Sequence, residues 1–434
     1  MKAVDLIAKK RDKQQLTKAE IDFFVNGFAT GEIPDYQVSA WAMAVLLNGM
    51  SDEETIYLTQ AMVESGEKLD LHDIVRIAVD KHSTGGVGDK TTFVVTPIAA
   101  ACGQPVAKMS GRGLGFSGGT LDKFDAIPGF RSDLSVDEFK RRLRETGIVV
   151  TGQNVDLAPA DGKLYAIRDV TGTVPSIPLI ASSVMSKKLA SGADVIVLDV
   201  KVGLGAFMTT LEDAQELARL MVKIGTENGR KVIALLANMD QPLGHAVGNA
   251  LELREAIDTL LGNGPVDFTQ HCLEVASYML FMAGHGSTQE EAFAAAQKSL
   301  LDGSALRKLK QMVTAQGGDG DYIDHPEKLP QAKIIEIIPS PESGYLSEIN
   351  ARIVGDVSVN LGAGRAKKDD AIDLSVGLII PHKVGDYVTK GQPLLTIHAS
   401  SHDKLEDMKK QVVRAFIFSK DKVDPAPLFF GVVN

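Results

Sequence analysis

The sequence predicts an α/β protein with a small helical domain, a large α/β domain built on a mainly parallel central sheet, and a carboxyl-terminal α+β domain. Three observations predict this fold class. Apolar residues in the first 66 positions recur with helical spacing behind two capping boxes, Thr17 to Glu20 and Ser51 to Glu54. From about residue 75, strand-like runs alternate with helical patterns, which is typical of parallel sheets. Beyond residue 330 the pattern is one of short strands and turns.

The α/β domain is predicted from individual runs of residues. Strand-like runs occupy 105–109, 195–200 and 232–236, and helical patterns occupy 211–229 and 249–262. Residues 161–188 are again partly helical, so we expect the chain to return to the first domain before the sheet resumes, and two such crossings form a hinge. The glycine-rich stretch 316–321 is interpreted as a linker. The predicted domains are 1–66 (helical, first part), 67–160 (α/β), 161–192 (helical, returning segment), 193–330 (α/β, continued) and 331–434 (carboxyl-terminal α+β).

Composition excludes several classes of function. A chain of 434 residues with 44% hydrophobic residues is long enough for two or three compact domains. With 46 basic against 56 acidic residues, its net charge of -10 disfavours binding to nucleic acid. No window reaches the roughly 18 apolar residues of a membrane span, and we expect no export signal. Cys102 and Cys272 lie in apolar surroundings, which suits thiols of a reducing compartment and predicts a cytoplasmic protein.

The densest chemical motif is Asp80-Lys-His-Ser-Thr-Gly-Gly-Val-Gly-Asp-Lys-Thr-Thr92, which follows a strand and opens a helix. Glycines at the end of a strand let backbone N–H groups approach a ligand, and Lys81, Ser83 and Thr92 add a cation and two hydroxyls suited to an oxyanion. Phosphate is the natural ligand. The alternative is a tight strand-to-helix turn with incidental polar residues.

A second motif, Lys108-Met-Ser-Gly-Arg-Gly-Leu-Gly-Phe-Ser-Gly-Gly-Thr-Leu-Asp-Lys123, repeats this design after another strand with Lys108, Ser110 and Thr120. Two such loops at the carboxyl ends of strands in one sheet face the same crevice. Neither motif has the spacing of a nucleoside triphosphate loop or of a dinucleotide fingerprint, so free phosphate fits better.

A third cluster lies in the returning segment. Tyr165 and Arg168 are spaced i, i+3, and Ser183 and Lys187 are spaced i, i+4, so each pair shares a helix face. From these residues alone, a solvated charged face is the better interpretation.

The three motifs together resemble the thymidine and pyrimidine-nucleoside phosphorylases. The similarity rests on Lys81-His-Ser-Thr-Gly-Gly-Val-Gly-Asp89, on Ser110 to Gly115 with Gly118 to Asp122, and on Leu164 to Asp169 with Ser182 to Lys188, and it covers essentially the whole chain. It implies a homodimer whose subunits have a cleft between a helical and an α/β domain. It also implies reversible cleavage of a pyrimidine nucleoside by inorganic phosphate, which gives a free base and an α-pentose 1-phosphate.

The resemblance also implies residue roles. Phosphate is expected at Lys81, His82, Ser83, Thr92, Lys108, Met109, Ser110 and Thr120, and the pyrimidine at Tyr165, Arg168, Ser183 and Lys187. His82, Arg168 and Lys187 are the expected catalytic residues. The two cations would stabilise negative charge on the departing base, and His82 would either donate a proton or hydrogen bond to it or orient the sugar. Lys108 stands where thymidine-specific relatives tend to have an apolar residue, which favours acceptance of both uridine and thymidine.

The resemblance further implies one potassium ion per subunit and no organic cofactor. Its ligands would be Gly88, Lys90, Leu243, Ala246 and Glu255, mostly through backbone carbonyls. The sequence departs from the family at Lys90, where Thr is common and where a folded-back ammonium would compete with the ion. It departs again at Phe116, where the family usually has His, and we expect this change to tune activity without abolishing it.

Two other functions remain open at this point. An enzyme resembling anthranilate phosphoribosyltransferase would share the architecture, but it would need acidic magnesium ligands and a pyrophosphate site. A non-catalytic nucleoside or phosphate sensor on the same fold would bind without turnover.

Overall fold

The computed structural model describes residues 1–113, 116, 118–152, 157–365 and 370–434. Leu114, Gly115 and Ser117 of the second glycine-rich motif lie outside the described residues. The fold has an amino-terminal helical domain, an α/β domain and a carboxyl-terminal domain with antiparallel sheets, which confirms the predicted class.

The helical domain opens with four helices: α1 Ala3–Arg11, α2 Lys18–Thr30, α3 Asp35–Asn48 and α4 Asp52–Glu64. Both predicted capping boxes are confirmed, with the side chains of Thr17 and Ser51 accepting from the N3 backbone amides of α2 and α4. Phe24 and Trp41 meet in the core with ring centroids 4.8 Å apart. The apolar spacing seen in the sequence therefore builds a buried helical core.

The middle of the chain alternates strands and helices. They are β1 Val79–Ser83, α5 Thr92–Ala101, β2 Val106–Met109, α6 Thr120–Phe124, α7 Val136–Thr146, β3 Ile148–Thr151, α8 Pro159–Thr171, α9 Ile177–Ala190, β4 Val195–Val202, α10 Leu211–Glu227, β5 Lys231–Asn238, β6 Ala246–Val247, α11 Asn249–Leu260, α12 Val266–Met282, α13 Gln289–Leu301, α14 Ser304–Ala315 and α15 Asp321–Asp324. The predicted strands and helices of this region are confirmed, with ends that differ by a few residues.

The carboxyl-terminal region contributes β7 Ile334–Pro339, β8 Gly344–Ile349, α16 Ala351–Ser358, β9 Gly377–Ile379, β10 Tyr387–Val388, β11 Pro393–Ala399, α17 His402–Val412, β12 Phe416–Ser419 and β13 Phe429–Val433. Its strands pair antiparallel in two small sheets ordered β10-β8-β12 and β6-β9-β11-β7.

The central sheet has the order β13-β5-β4-β1-β2-β3. The strands β1 to β5 pair in parallel, and β13 adds an antiparallel edge. The strand β13 therefore belongs to the α/β sheet, although we predicted residues 331–434 as one separate domain. In the reverse direction, β6 pairs with β9 of the carboxyl-terminal sheet. The α/β domain and the carboxyl-terminal domain thus each contribute an edge strand to a sheet of the other.

The predicted returning segment corresponds to α8 and α9. Ala160, Leu164 and Leu179 lie in the same buried apolar cluster as the four amino-terminal helices. The far side of α9, through Ala181 and Met185, packs in the cluster beneath β4 and α10. Helix α9 therefore belongs to both domains at once, and it lies where a hinge was expected.

The stretch 316–321 is not the linker we predicted. The Gln316 side chain is buried and bonds both the N–H and the C=O of Val150 in β3. Glycine content suggested a flexible connection, but the amide fixes this segment to the edge of the sheet.

Candidate active site

The first glycine-rich loop starts at the carboxyl end of β1. Lys81 is fully buried, donates to the Thr91 hydroxyl, and lies 3.4 Å from Asp199 Oδ2 and 4.0 Å from Asp89 Oδ1. Burial lowers the pKa of Lys81, but the carboxylates of Asp89 and Asp199 outweigh it and raise this pKa above the usual lysine value. Lys81 is therefore a permanent cation at the strand end.

The hydroxyls of this loop differ in their contacts, and that of Thr91 lies beside the Lys81 cation. Ser83 Oγ donates to Asp89 Oδ2, and Thr92 is the first residue of α5. Asp89 also accepts from the Thr91 hydroxyl, so one carboxylate organises the loop. The sequence placed Asp89 within the motif but gave it no role.

The second loop follows β2, the parallel neighbour of β1. Lys108 is buried, and its Nζ donates to the Lys81 carbonyl at 2.7 Å. Burial and the nearby charge of Lys188 lower the pKa of Lys108 to about 7. The two loops thus lie at the same edge of one sheet, as predicted.

The remaining predicted phosphate residues of the second loop differ in the side-chain and backbone groups that could contact an anion. Ser110 is half-buried with its backbone N–H bonded to the Thr151 carbonyl, and Thr120 begins α6. The Met109 side chain is buried in the core, so only its backbone faces the polar cluster, where its carbonyl accepts from Lys188 at 3.0 Å.

The third cluster assembles on α8 and α9. Lys187 Nζ lies 2.9 Å from Ser183 Oγ, 2.6 Å from Asp161 Oδ2 and 5.8 Å from the centroid of the Tyr165 ring. The cluster is thus a compact polar site with a cation held at its centre, in contrast to the solvated face that the residues alone favoured.

Arg168 lies in the same helical layer, buried to 2% exposure. Its guanidinium donates to the carbonyls of Leu179 at 2.9 Å, Val174 at 2.7 Å and Thr173 at 3.4 Å. These bonds use three of its five N–H groups and tie α8 to the start of α9. Burial lowers the pKa of Arg168 to about 10, so it stays charged near neutrality.

His82 follows Lys81 in β1 and is half-buried. Burial lowers its pKa well below the usual histidine value, and the charges of Lys188, Lys108, Lys187 and Lys81 lower it further. Lysines of β1, β2 and α9 thus contribute to the electrostatics of this one ring. The imidazole is neutral at physiological pH.

Lys188 of α9 joins the helical and sheet halves of the site by an ion pair and a hydrogen bond. Its Nζ lies 2.6 Å from Asp80 Oδ2 in β1 and donates to the Met109 carbonyl in β2. Both Lys188 and Asp80 are buried. Sequence reasoning included Lys188 in a motif but missed this contact, which spans 108 positions.

The predicted cation ligands come together around the ammonium of Lys90. Lys90 Nζ lies 2.7 Å from the Leu243 carbonyl, 3.1 Å from the Ala246 carbonyl and 2.5 Å from Glu255 Oε1, and the Gly88 carbonyl accepts from the Lys90 backbone N–H. The prediction of bound potassium stays a prediction, and the residues present do not fit it, because an ammonium stands at the centre of the ligand set.

Phe116 is buried at 7% exposure against the carboxyl-terminal domain. Its ring lies 4.1 Å from the Arg352 guanidinium and 5.4 Å from the Phe207 ring. The residue that departs from the family pattern therefore acts as an interdomain packing contact.

Asp161, which the sequence reasoning missed, holds the Lys187 ammonium at 2.6 Å. Replacing it with Asn is expected to lower kcat roughly tenfold, since Lys187 loses the carboxylate that orients its ammonium, a loss comparable to removing a supporting hydrogen bond in a ligand shell. Steady-state kinetics checks this, and the loss should appear in kcat more than in KM.

The matched control for that variant is Asp137→Asn. Asp137 lies in the first turn of α7, as Asp161 does in α8, so both variants lose the same interaction with a helix dipole. Equal effects of the two substitutions would show that Asp161 acts only on its helix.

Three family models match the chain. A glycosyl transferase family helical bundle domain matches residues 4–66, a glycosyl transferase family a/b domain matches 76–306, and a pyrimidine nucleoside phosphorylase C-terminal domain matches 345–419. The described part of the chain contains no helix long and apolar enough to cross a membrane.

Similar proteins span the same length. A pyrimidine-nucleoside phosphorylase of Geobacillus stearothermophilus is 53% identical over 434 residues, with 100% of both chains covered. Those of Staphylococcus epidermidis and Staphylococcus aureus are 53% and 52% identical, with 93% and 98% of both chains covered. Among solved structures, an anthranilate phosphoribosyltransferase of Thermus thermophilus shares the fold with a TM-score of 0.58 and 19% identity, covering 72% of this chain and 99% of the other. The full-length matches show that the chain belongs to the pyrimidine-nucleoside phosphorylase family of glycosyltransferase enzymes.

Proposed function

We propose that the chain catalyses the reversible phosphorolysis of uridine, thymidine and deoxyuridine. The products are the free pyrimidine and α-D-ribose 1-phosphate or 2-deoxy-α-D-ribose 1-phosphate, as in nucleoside salvage and catabolism. The observation that carries this proposal is the contact of Lys188 on α9 with Asp80 of β1 and with the Met109 carbonyl of β2. It packs the helix that carries Lys187 against the two strands that carry Lys81 and Lys108. The predicted phosphate and base residues therefore lie on elements that contact each other directly.

Phosphate is the attacking group in this proposal. It binds at the ends of β1 and β2, where Lys81 and Lys108 supply cations and Ser83, Thr92, Ser110 and Thr120 supply hydroxyls. It attacks the anomeric carbon of the pentose while the C–N bond to the base breaks.

Negative charge then develops on the departing pyrimidine. Lys187, held by Asp161 and Ser183, is a preorganised cation for a carbonyl oxygen of the base, with Arg168 in the same layer. Such groups accelerate a reaction when they bind the developing charge more strongly than the substrate. Tyr165, 38% exposed beside Lys187, offers a ring face to the base.

The role of His82 follows from its lowered pKa. A neutral imidazole is a poor proton donor but still provides one N–H for a hydrogen bond. We therefore assign His82 to orienting the sugar or the base by hydrogen bonding, and not to full proton transfer.

A direct assay tests the proposed function. The purified chain is incubated with uridine, thymidine or deoxyuridine, with and without inorganic phosphate, and release of the base is followed by ultraviolet absorbance. A phosphate-dependent change with all three nucleosides supports the proposal. Release without phosphate would indicate a hydrolase, and no release would indicate a binding protein.

The phosphate KM is expected to depend on pH through Lys108. Its pKa of about 7 means that the ammonium is charged below pH 7 and loses its proton as the pH rises. If the charged form binds phosphate, the KM for phosphate rises above pH 7 by up to about tenfold per pH unit. Phosphate titrations between mildly acidic and alkaline pH measure this.

Lys108→Met is the control for that dependence. Phosphate changes its own ionisation equally for both proteins, so only the difference between their slopes reports on Lys108. If the KM for phosphate rises equally with pH in the two proteins, Lys108 does not bind phosphate.

We also propose a homodimer formed through the helical domain. Tyr36, Met43 and Leu47 are spaced i, i+7 and i+11 on α3, and they are 74%, 37% and 74% exposed. An apolar stripe of this kind is typical of an interface. Gel filtration of the chain and of Leu47→Glu tests it, with loss of the dimer expected for the variant. The two free thiols, Cys102 and Cys272, support the cytoplasm as the compartment.

A further inference from the structure

The most unusual group outside the reaction centre is the ammonium of Lys90. Its side chain is 0% exposed, although it follows directly after Asp89 of the first glycine-rich loop. Two carbonyls, those of Leu243 and Ala246, and the carboxylate of Glu255 converge on it, and the Phe268 ring centroid lies 4.9 Å away. We call these groups the cradle.

The cradle encloses the ammonium tightly. A Cβ at Gly244 would lie 2.8 Å from Lys90 Nζ and 2.2 Å from Glu255 Oε1, and a Cβ at Gly88 would lie 2.6 Å from the Leu243 carbonyl. Both glycines have positive φ, +71° and +75°, so their backbones bend around the site in conformations that other residues rarely adopt. The backbone therefore approaches the ammonium from two sides.

The charges of the cradle are also balanced. Glu255 pairs with Lys90 and accepts from the backbone N–H groups of His245 and Ala246. A second lysine, Lys383, donates to the carbonyls of Pro242 and Gly244 and pairs with Asp267. An additional cation would meet two ammonium groups in a buried site and gain only carbonyls that already accept hydrogen bonds.

We propose that the Lys90 ammonium permanently takes the place of the monovalent cation that the family resemblance implies, so that this chain folds and turns over without potassium. The carbonyls of Leu243 and Ala246 and the carboxylate of Glu255, which the resemblance assigns to the ion, bind the ammonium instead. Because the ammonium is attached to the chain, it cannot dissociate. It links the phosphate loop to residues 243–246, and through β6 to the carboxyl-terminal domain, at any salt composition.

The wild-type chain gives the first test. It is dialysed into choline chloride, then assayed in choline or potassium chloride at about 100 mM, so that screening is constant. The thermal midpoint and the rate of phosphorolysis are expected to be the same in both salts. After gel filtration in rubidium chloride, elemental analysis should find far less than one rubidium per chain. One bound rubidium per chain, or activity that returns only with potassium, would overturn the proposal.

The second test is Lys90→Thr, which removes the ammonium and offers a hydroxyl oxygen. The emptied cradle is expected to bind potassium, so the thermal midpoint should be higher in potassium than in choline chloride by about 2 °C or more when the ion is well above its Kd. Adding Glu255→Gln to this variant should remove most of that gain. A midpoint of Lys90→Thr that is equal in the two salts would contradict a cradle shaped for a cation.

Lys123→Thr is the matched control. Lys123 is also buried and also pairs with a glutamate of α11, Glu252 at 3.2 Å, but it donates to a single carbonyl, that of Gly118. Lys123→Thr should lower the thermal midpoint equally in both salts, since one carbonyl and one carboxylate are too few ligands to hold an ion in place of the ammonium. If Lys90→Thr does not fold in choline chloride, the rubidium content of the wild-type chain still decides the question.

Discussion

Lys187→Ala is expected to lower kcat for uridine about 100- to 1,000-fold, the range measured when one preorganised donor to a developing negative charge is removed. Lys187 is held at 2.6 Å from Asp161 and 2.9 Å from Ser183, so its ammonium is already in place before the charge appears. The loss should appear in kcat more than in KM, because the contact strengthens in the transition state. Steady-state kinetics with saturating phosphate measures both constants.

Lys163→Ala provides the comparison for this variant. Lys163 is an exposed lysine on α8 that donates to the Ala29 carbonyl. Its loss removes the same charge from the same helical domain, and turnover should stay within about twofold, as is usual for a surface substitution. Near-normal turnover of Lys187→Ala would refute the assignment of the base site.

The second large effect is expected on stability. Lys188→Met should lower the free energy of unfolding by about 1.5 to 3 kcal/mol, because it removes the hydrogen-bonded cation 2.6 Å from the buried carboxylate of Asp80, which keeps Lys108 at 3.8 Å as a weaker partner. Urea unfolding of the variant, followed by tryptophan fluorescence and circular dichroism, measures the loss. Adding Asp80→Asn should recover part of it, since the remaining group is then neutral.

Lys223→Met breaks a lysine–aspartate pair that also joins two domains, but at the surface. Lys223 lies 2.9 Å from Asp52 with 39% of its side chain exposed, so its loss should cost at most about 1 kcal/mol. A loss for Lys188→Met as small as this one would mean that the buried pair does not hold α9 to the sheet.

The local parts of the fold and site could be predicted from the sequence. These parts depend on residues that are close together in the sequence. Examples are the capping boxes, the alternating periods, the glycines after strands and the i, i+4 spacing that places Ser183 beside Lys187. The family resemblance added which of these residues share a cleft.

The rest depended on contacts between distant positions. Asp161 lies 26 positions from Lys187, and no periodicity links them. The predicted cation ligands included Lys90 for its carbonyl, but only the folded chain shows its side chain among the other ligands, 153 positions from Leu243. Glycine content at 316–321 suggested a linker because composition does not reveal that the Gln316 amide bonds β3.

The exchange of edge strands limits how the last domain can be moved between proteins. Its sheet is completed by Ala246–Val247, and the chain then gives Phe429–Val433 back to the central sheet. A segment cut at the family boundaries 345–419 would lack β6, β7 and β13, so that β9, β11 and β5 would each lose a strand that pairs with them. Recombination between relatives should therefore transfer the carboxyl-terminal domain only together with β6 and β13. Evolution by simple insertion or deletion of this domain is disfavoured for the same reason.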